Sequence, residues 1–552
     1  MNGRPAVLAA RKIWPEYLSG ESFRFLVMTD GQVTALAQTA ADAARAAGPS
    51  AAWVDLGAAC VGPGFIDTHI HALQAAADVR LVSVREAASL DGLLAAVRAA
   101  GLGRPAGQWT VSGRNWHESQ LREGRLPTRG DLDALGLPGP VLLRRGSHLA
   151  VLNSRAIELL GGPVADTGQT DSDALIERAV GLAGQPTLDE RCADLATVLA
   201  RFNARGLTTI REAGVNAAEL EVFQALRDRG QLSMRCDLLW RVAEGSDAVS
   251  ARQQIADLPP GSPADDPVLR LTGVKAFVDG RIADAAIGGD DWDDRDGGDD
   301  RDGGDDGDDG DGGDGAAADA GAFRMSPGDL WAIVEAALRR SAGVGCHAVG
   351  DRAVAMVLDA YERALSSGLA ADPGRLVVEH ALNAAPATIR RLAASGVGVS
   401  VHPGIVYEFA EDIRRYWGGG NSARAAPVRD LVAAGVRVAA GSDGDVPPFD
   451  PLRGIWFMVT RQGRTGGPIG EGQAVARNVA LDLYTRRGAV LLGLGSRRGQ
   501  LRPGMDADLV AFSADPLTCP AGELPDLDIR LTLLGGKPVH DPGGLMEGSG
   551  NG

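Results

Sequence analysis

One arrangement recurs along this chain and narrows its fold more than any other. A helical stretch closes on glycine, and a short β-branched or apolar run follows. It is present in LARFNARGLTTIREAG around Gly206, LRRSAGVGCHAVG around Gly343, RRLAASGVGVSVHPG around Gly396 and DLVAAGVRVAAGSD around Gly435. Glycine at a helix end supplies the left-handed conformation that closes it. The apolar runs that follow read as parallel strands buried on both faces. Crossover helices come next, such as DRAVAMVLDAYERAL with Asp351 as its expected N-cap. This alternation predicts an α/β fold with parallel strands, placed near residues 61–67, 207–212, 235–241, 270–277, 343–348, 375–380, 397–402 and 436–442. Eight such strands favour a (β/α)8 TIM-like barrel over an open sheet, although periodicity alone does not decide closure.

The rest of the chain divides around that barrel. About 140 residues separate the first two predicted strands, too many for one crossover. An inserted subdomain over residues 72–200 is expected there, and insertions after barrel strands are candidate lids. Residues 21–57 contain FRFLVMTDGQVTALAQ, a hairpin through Asp30-Gly31. GQLRPGMDADLVAFSA near the other end again reads as turn plus strand. The two ends, 1–60 and 488–552, are expected to form one small β-sandwich domain beside a barrel over 61–487.

Net charge is −17, but residues 290–315 hold 14 Asp and two Arg and account for −12 of it. The remaining chain is close to balanced, so no nucleic-acid partner is expected. That Asp/Gly tract has too little apolar surface to order itself and is expected to be a disordered loop. It lacks the closing Glu of an EF-hand and the regular repeat of a calcium β-roll, so calcium binding is not expected. No apolar run reaches membrane-spanning length, and the first twenty residues carry no secretory signal. Five cysteines without CxxC spacing argue against a disulfide framework. The expectation is a cytoplasmic protein with a small-molecule substrate, and a homodimer is a further expectation.

Four of the eight histidines fall at strand ends. His69 and His71 in PGFIDTHIH stand two apart, so on a strand both imidazoles face one side. Lys275 in LTGVKAFVDG, His347 in VGCHAVGD, His380 in LVVEHAL and Asp443 in VAAGSDGD each lie at or near the C-terminal end of a predicted strand. Active sites of barrels form at that rim. Each residue alone is more often structural. Together they supply a nitrogen and oxygen donor set suited to zinc, and also to iron, manganese, nickel or cobalt.

PGFIDTHIH, the strand lysine, the two single histidines and GSD, in this order, resemble the amidohydrolase superfamily. The resemblance is closest to its amidohydrolase-3-type metal-dependent hydrolases, a branch that includes N-substituted formamide deformylase. GRNWHES, VKAFVDG, HAVGDRAV, EHA and GQLRPGMDADLVAF extend the resemblance from about residue 30 to residue 515. It implies that His69 and His71 would bind one divalent metal, and His347 and His380 a second. Lys275, as a carbamate, would bridge them. Only three lysines survive beside 52 arginines, and arginine cannot form a carbamate. Asp443 would bind the first metal. Asp443 and His380 are the expected catalytic residues, with Asp443 as general base and then general acid for a metal-activated hydroxide. A one-metal variant would leave Lys275 unmodified.

The implied reaction is cleavage of a C–N bond in an amide or N-formyl-type substrate, with one or two ions per chain, zinc foremost. A deaminase, or a cyclic-amide or ester hydrolase, is the alternative within the fold. A metal-free scaffold is the alternative outside it. Two positions depart from the branch: His117 follows Trp116 where Asp is common, and His402 precedes Pro403 where Gln is common. Substrate binding is expected from Trp116, His117, His148, Phe277, Arg281 and His402; for the two extra histidines a packing role weighs equally. His540 is expected to be structural.

Overall fold

The computed structural model describes residues 4–114, 116, 118–146, 149–184, 186–259, 266–288, 323–444 and 449–546. The tract at 290–315, and with it the loop expected there, lies outside them.

Eight parallel strands form one sheet: Phe65–Ile70, Leu207–Val215, Arg235–Arg241, Leu269–Phe277, Gly343–Ala348, Leu376–His380, Gly398–Val401 and Arg437–Ala440. Each pairs in parallel with the next along the chain. The sheet curls nearly into a barrel. Its ends meet just past the eighth strand, where the Asp443 N–H donates to the His69 carbonyl at 2.8 Å. The second strand is buried at every position, as a parallel strand covered on both faces must be.

The glycine reading holds at Gly206, Gly396 and Gly435, whose φ angles are 81°, 71° and 78°. It fails at Gly343: Ser341 takes the left-handed conformation there with φ 57°, and Gly343 already belongs to the strand. The helix Asp351–Ser366 packs on the barrel through Val354, Val357, Leu358, Tyr361 and Ala364, a spacing that keeps one face inward. Its N-cap is Gly350, not Asp351. The Asp351 carboxylate sits in the first turn, where the helix dipole favours it, and accepts the Gly288 N–H at 2.8 Å.

The strand expected at 61–67 is two strands. Cys60–Pro63 pairs antiparallel with Leu509–Phe512, and Phe65–Ile70 begins the barrel. Gly64 is the joint. Its N–H donates to the Asp508 carbonyl at 3.0 Å, and a Cβ there would collide with the Thr208 side chain.

Both chain ends share one eight-stranded sheet that also contains Cys60–Pro63. The expected sandwich is this single sheet curled around its own core. Leu8, Leu26, Val33, Val61, Leu509, Leu531 and Leu533 from strands across its width meet in one cluster. The hairpin turns through Asp30 and Gly31, with φ of 51° and 79°.

These elements form one compact unit, Met1–Ile70, Phe202–Ala217 and Ser233–Gly552. The second unit is the insertion, His71–Arg201, together with Ala218–Leu232. The insertion has its own four-stranded sheet and a core that includes Val82, Leu93, Leu132, Leu143 and Val151. Among the described residues no helix is long and apolar enough to cross a membrane.

Candidate metal centre

His69 lies next to the end of the first barrel strand and is fully buried. Its Nδ1 lies 2.7 Å from Glu379 Oε2, and its Nε2 lies 3.2 Å from Asp443 Oδ1 and 3.5 Å from Lys275 Nζ. Burial, reinforced by Lys275, lowers the His69 pKa, so the ring is neutral and carries one proton. Glu379 can only accept, so that proton sits on Nδ1. The Nε2 lone pair then faces a carboxylate oxygen. Two acceptors in that position call for a cation between them, with the ring oriented by a carboxylate behind it. His71 stands just beyond Ile70, as the first residue of the inserted unit.

His380 ends the sixth strand. Its ring lies 5.0 Å from that of His69 and 4.3 Å from that of His347. Its Nε2 is buried and has no hydrogen-bond partner among the described residues. A buried orphan of this kind costs about 1–3 kcal/mol unless something takes its lone pair. His347 turns its Nε2 to the Gly280 carbonyl at 2.9 Å, which leaves a lone pair on Nδ1. Burial pushes the His347 pKa down to about 3 and that of His380 well below the usual histidine range. Burial also lowers the Lys275 amine to about 8. The donor set is therefore neutral imidazoles, a carboxylate and a readily deprotonated amine, which fits a divalent cation.

The backbone is left-handed at three non-glycine positions here: His380 (φ 78°), Ala381 (φ 43°) and Asp443 (φ 54°). Such residues are uncommon, and they concentrate at functional sites. Hydrogen bonds hold them, from Ala381 N–H to the Ala348 carbonyl at 2.9 Å and from Asp443 N–H to the His69 carbonyl.

A match to the amidohydrolase family covers residues 52–540. The chain belongs to the amidohydrolase family. Along 537 residues this amidohydrolase is 29% identical to N-substituted formamide deformylase of Arthrobacter pascens, covering 92% of this chain and 94% of that protein. Its fold is shared with two solved structures. An uncharacterized metal-dependent hydrolase from Pyrococcus horikoshii aligns with a TM-score of 0.73 at 22% identity, over 94% of this chain and 99% of that one. Another from Pyrococcus furiosus aligns at 0.70 and 23%, over 93% and 100%.

The structure brings His69, His380 and Asp443 together with Lys275, and seats His347 one ring away against His380. Phe277 flanks them, its ring 5.9 Å from that of His347. His402 is fully buried, its ring 4.3 Å from His69 and 4.4 Å from His380. Arg281 is exposed, and its N–H donates to Asp284 at 2.8 Å. Trp116 belongs to the core of the inserted unit, its indole N–H given to the Arg144 carbonyl. His117 and His148 lie outside the described residues. His540 bonds the Ile529 carbonyl at 3.2 Å, a structural role in the terminal sheet.

Sequence reasoning missed three residues. Glu379 orients His69 and pairs with Arg211, whose Nε also donates to the Thr68 carbonyl at 2.7 Å. Asp67 accepts the N–H groups of His69 and Ser442, both at 3.0 Å, and so ties the first strand to the Asp443 segment. The available signal was three charged residues inside apolar strand runs: Asp67, Arg211 and Glu379.

Proposed function

We propose that this amidohydrolase hydrolyses the C–N bond of an amide or N-formyl-type substrate at a divalent metal centre. His69, His71 and Asp443 would hold one ion and His347 and His380 a second, with Lys275 serving both and zinc the expected occupant. The observation that carries this reading is His69: its Nε2 faces Asp443 Oδ1 at 3.2 Å and Lys275 Nζ at 3.5 Å, an arrangement a cation completes. The relative named for N-substituted formamide deformylation supports the substrate class, since its similarity runs through 92% of this chain.

A bound divalent ion supplies Lewis acidity, which lowers the pKa of a water and polarises a carbonyl oxygen. Asp443, just past the eighth strand, would take a proton from the attacking water. It then returns that proton to the departing nitrogen as the C–N bond breaks, leaving a carboxylate product and a free amine. Glu379 and Asp67 act behind it, one fixing the ring of His69 and the other the backbone that carries both groups. The buried Lys275 amine, with its proton readily lost, is suited to capture carbon dioxide as a carbamate.

The test is a substrate screen over N-formyl amines, N-acyl amino acids, cyclic imides and aryl esters, with and without added zinc. Turnover is expected with the first two classes, and Asp443→Asn should lower kcat by about 10²–10⁴-fold with little change in fold. Turnover confined to cyclic imides or esters would move the reaction class. Full activity of Asp443→Asn would remove the proton-transfer role.

A further inference from the structure

His402 is not needed by either ion site described above, yet it is buried at their centre. It follows the seventh strand, on the same side as Ser400 two residues before it. Its Nδ1 lies 2.6 Å from His380 Nδ1, and its Nε2 lies 3.2 Å from Ser400 Oγ. Ser400 Oγ in turn lies 2.7 Å from Thr68 Oγ1 on the first strand. Every member of this row is buried.

Proton counting orders the row. Two ring nitrogens facing each other at 2.6 Å share one proton. The alternative is that both nitrogens ligate one ion, because His69, His380 and His402 do place ligand atoms within 4.8 Å of one another. Distance argues against it. Two imidazoles on a tetrahedral zinc, at about 2.0–2.1 Å each, would hold their nitrogens about 3.3 Å apart. A proton fits the observed gap and a shared ion does not. His380 has one nitrogen in this contact and the other, Nε2, without a hydrogen-bond partner among the described residues. If Nδ1 of His380 carries the proton, its Nε2 keeps a lone pair. His402 then accepts at Nδ1, carries its own proton on Nε2 and donates it to Ser400.

We propose that His402 is a positioning residue: it fixes the tautomer and tilt of His380 so that His380 Nε2 is held as a donor to a divalent metal, with Ser400 and Thr68 anchoring His402 from behind. Carboxylates and backbone carbonyls commonly play this part behind metal-binding histidines. Here a second imidazole does so, and it reaches across from the seventh strand to the sixth. This inference rests on the metal reading of the preceding section.

The experiment is metal binding, not turnover. Metal-stripped wild type, His402→Ala, His402→Asn and Ser400→Ala are titrated with zinc against a chromophoric chelator, and cobalt-loaded samples are compared by visible absorption. His402→Ala should weaken one ion about 10–100-fold, the usual cost of losing such a partner. His402→Asn should recover most of the loss, because its amide oxygen can still accept from His380 Nδ1. Ser400→Ala should show a smaller loss in the same direction, and it serves if His402→Ala fails to fold. The cobalt band intensity should be retained throughout, as the coordination number does not change. A missing equivalent of metal with an altered cobalt spectrum in both His402 variants would make His402 a ligand and overturn the proposal. Unchanged affinity with only a lower melting temperature would reduce it to packing and overturn it as well. Failure of the wild type itself to bind zinc or cobalt would instead sink the metal reading on which the proposal depends.

Discussion

Arg211 and Glu379 show how a single buried pair sets up the chemistry of its neighbour. Both are almost completely buried, and the guanidinium meets Glu379 Oε1 at 2.5 Å while the other carboxylate oxygen holds His69. Burial by itself would raise the Glu379 pKa, but Arg211 and then His69 outweigh it and hold the group at about 2. Its folded pKa is therefore depressed below the ordinary 4.5. The resulting stability is present above about pH 4.5 and is lost as pH falls through about 2. Two outcomes follow for the metal-free protein. Arg211→Met should destabilise by about 3–5 kcal/mol in urea unfolding, because it strands a buried carboxylate. Glu379→Gln should flatten the loss of stability between pH 5 and 2 that the wild type shows.

At the scale of elements, the site depends on where strands stop. Strict alternation would send Glu379 and His380 to opposite faces of the sixth strand. The left-handed turn at His380 breaks the alternation, so both side chains serve the same centre. Nothing in LVVEHAL announces that turn, since histidine carries no preference strong enough to show it. The joint at Gly64 is of the same kind. It passes the chain from the terminal sheet to the barrel within one residue, where Thr208 leaves no room for a methyl group. Gly64→Ala should cost about 1–3 kcal/mol through overpacking, read from the urea midpoint. Thr208→Ser in the same chain should recover part of it by removing the methyl group from that contact.

For the whole molecule, the proposed ligand set draws on strands one, four, five, six and eight, so an ion bound there would cross-link segments from His69 to Asp443. A ligand that binds only the folded state stabilises it by mass action, about 2.7 kcal/mol at a hundredfold excess over Kd. Treatment with a chelator followed by dialysis should therefore lower the melting temperature by several degrees, and zinc should restore it. An unchanged melting curve would mean that the centre takes no ion under those conditions.

Sequence alone determined the alternation of helix and parallel strand, the two-residue step from His69 to His71, and the placement of Lys275, His347, His380 and Asp443 at or near strand ends. These are local properties, carried by periodicity, glycine punctuation and chain order. Tertiary structure decided which groups stand behind the proposed ligands. Glu379 meets His69 across 310 positions, Thr68 meets Ser400 across 332, and Ser442 meets Asp67 across 375. Closure of the barrel creates these contacts between strands far apart in the chain. Their hydrogen bonds hold because burial removes the water that would otherwise compete for them.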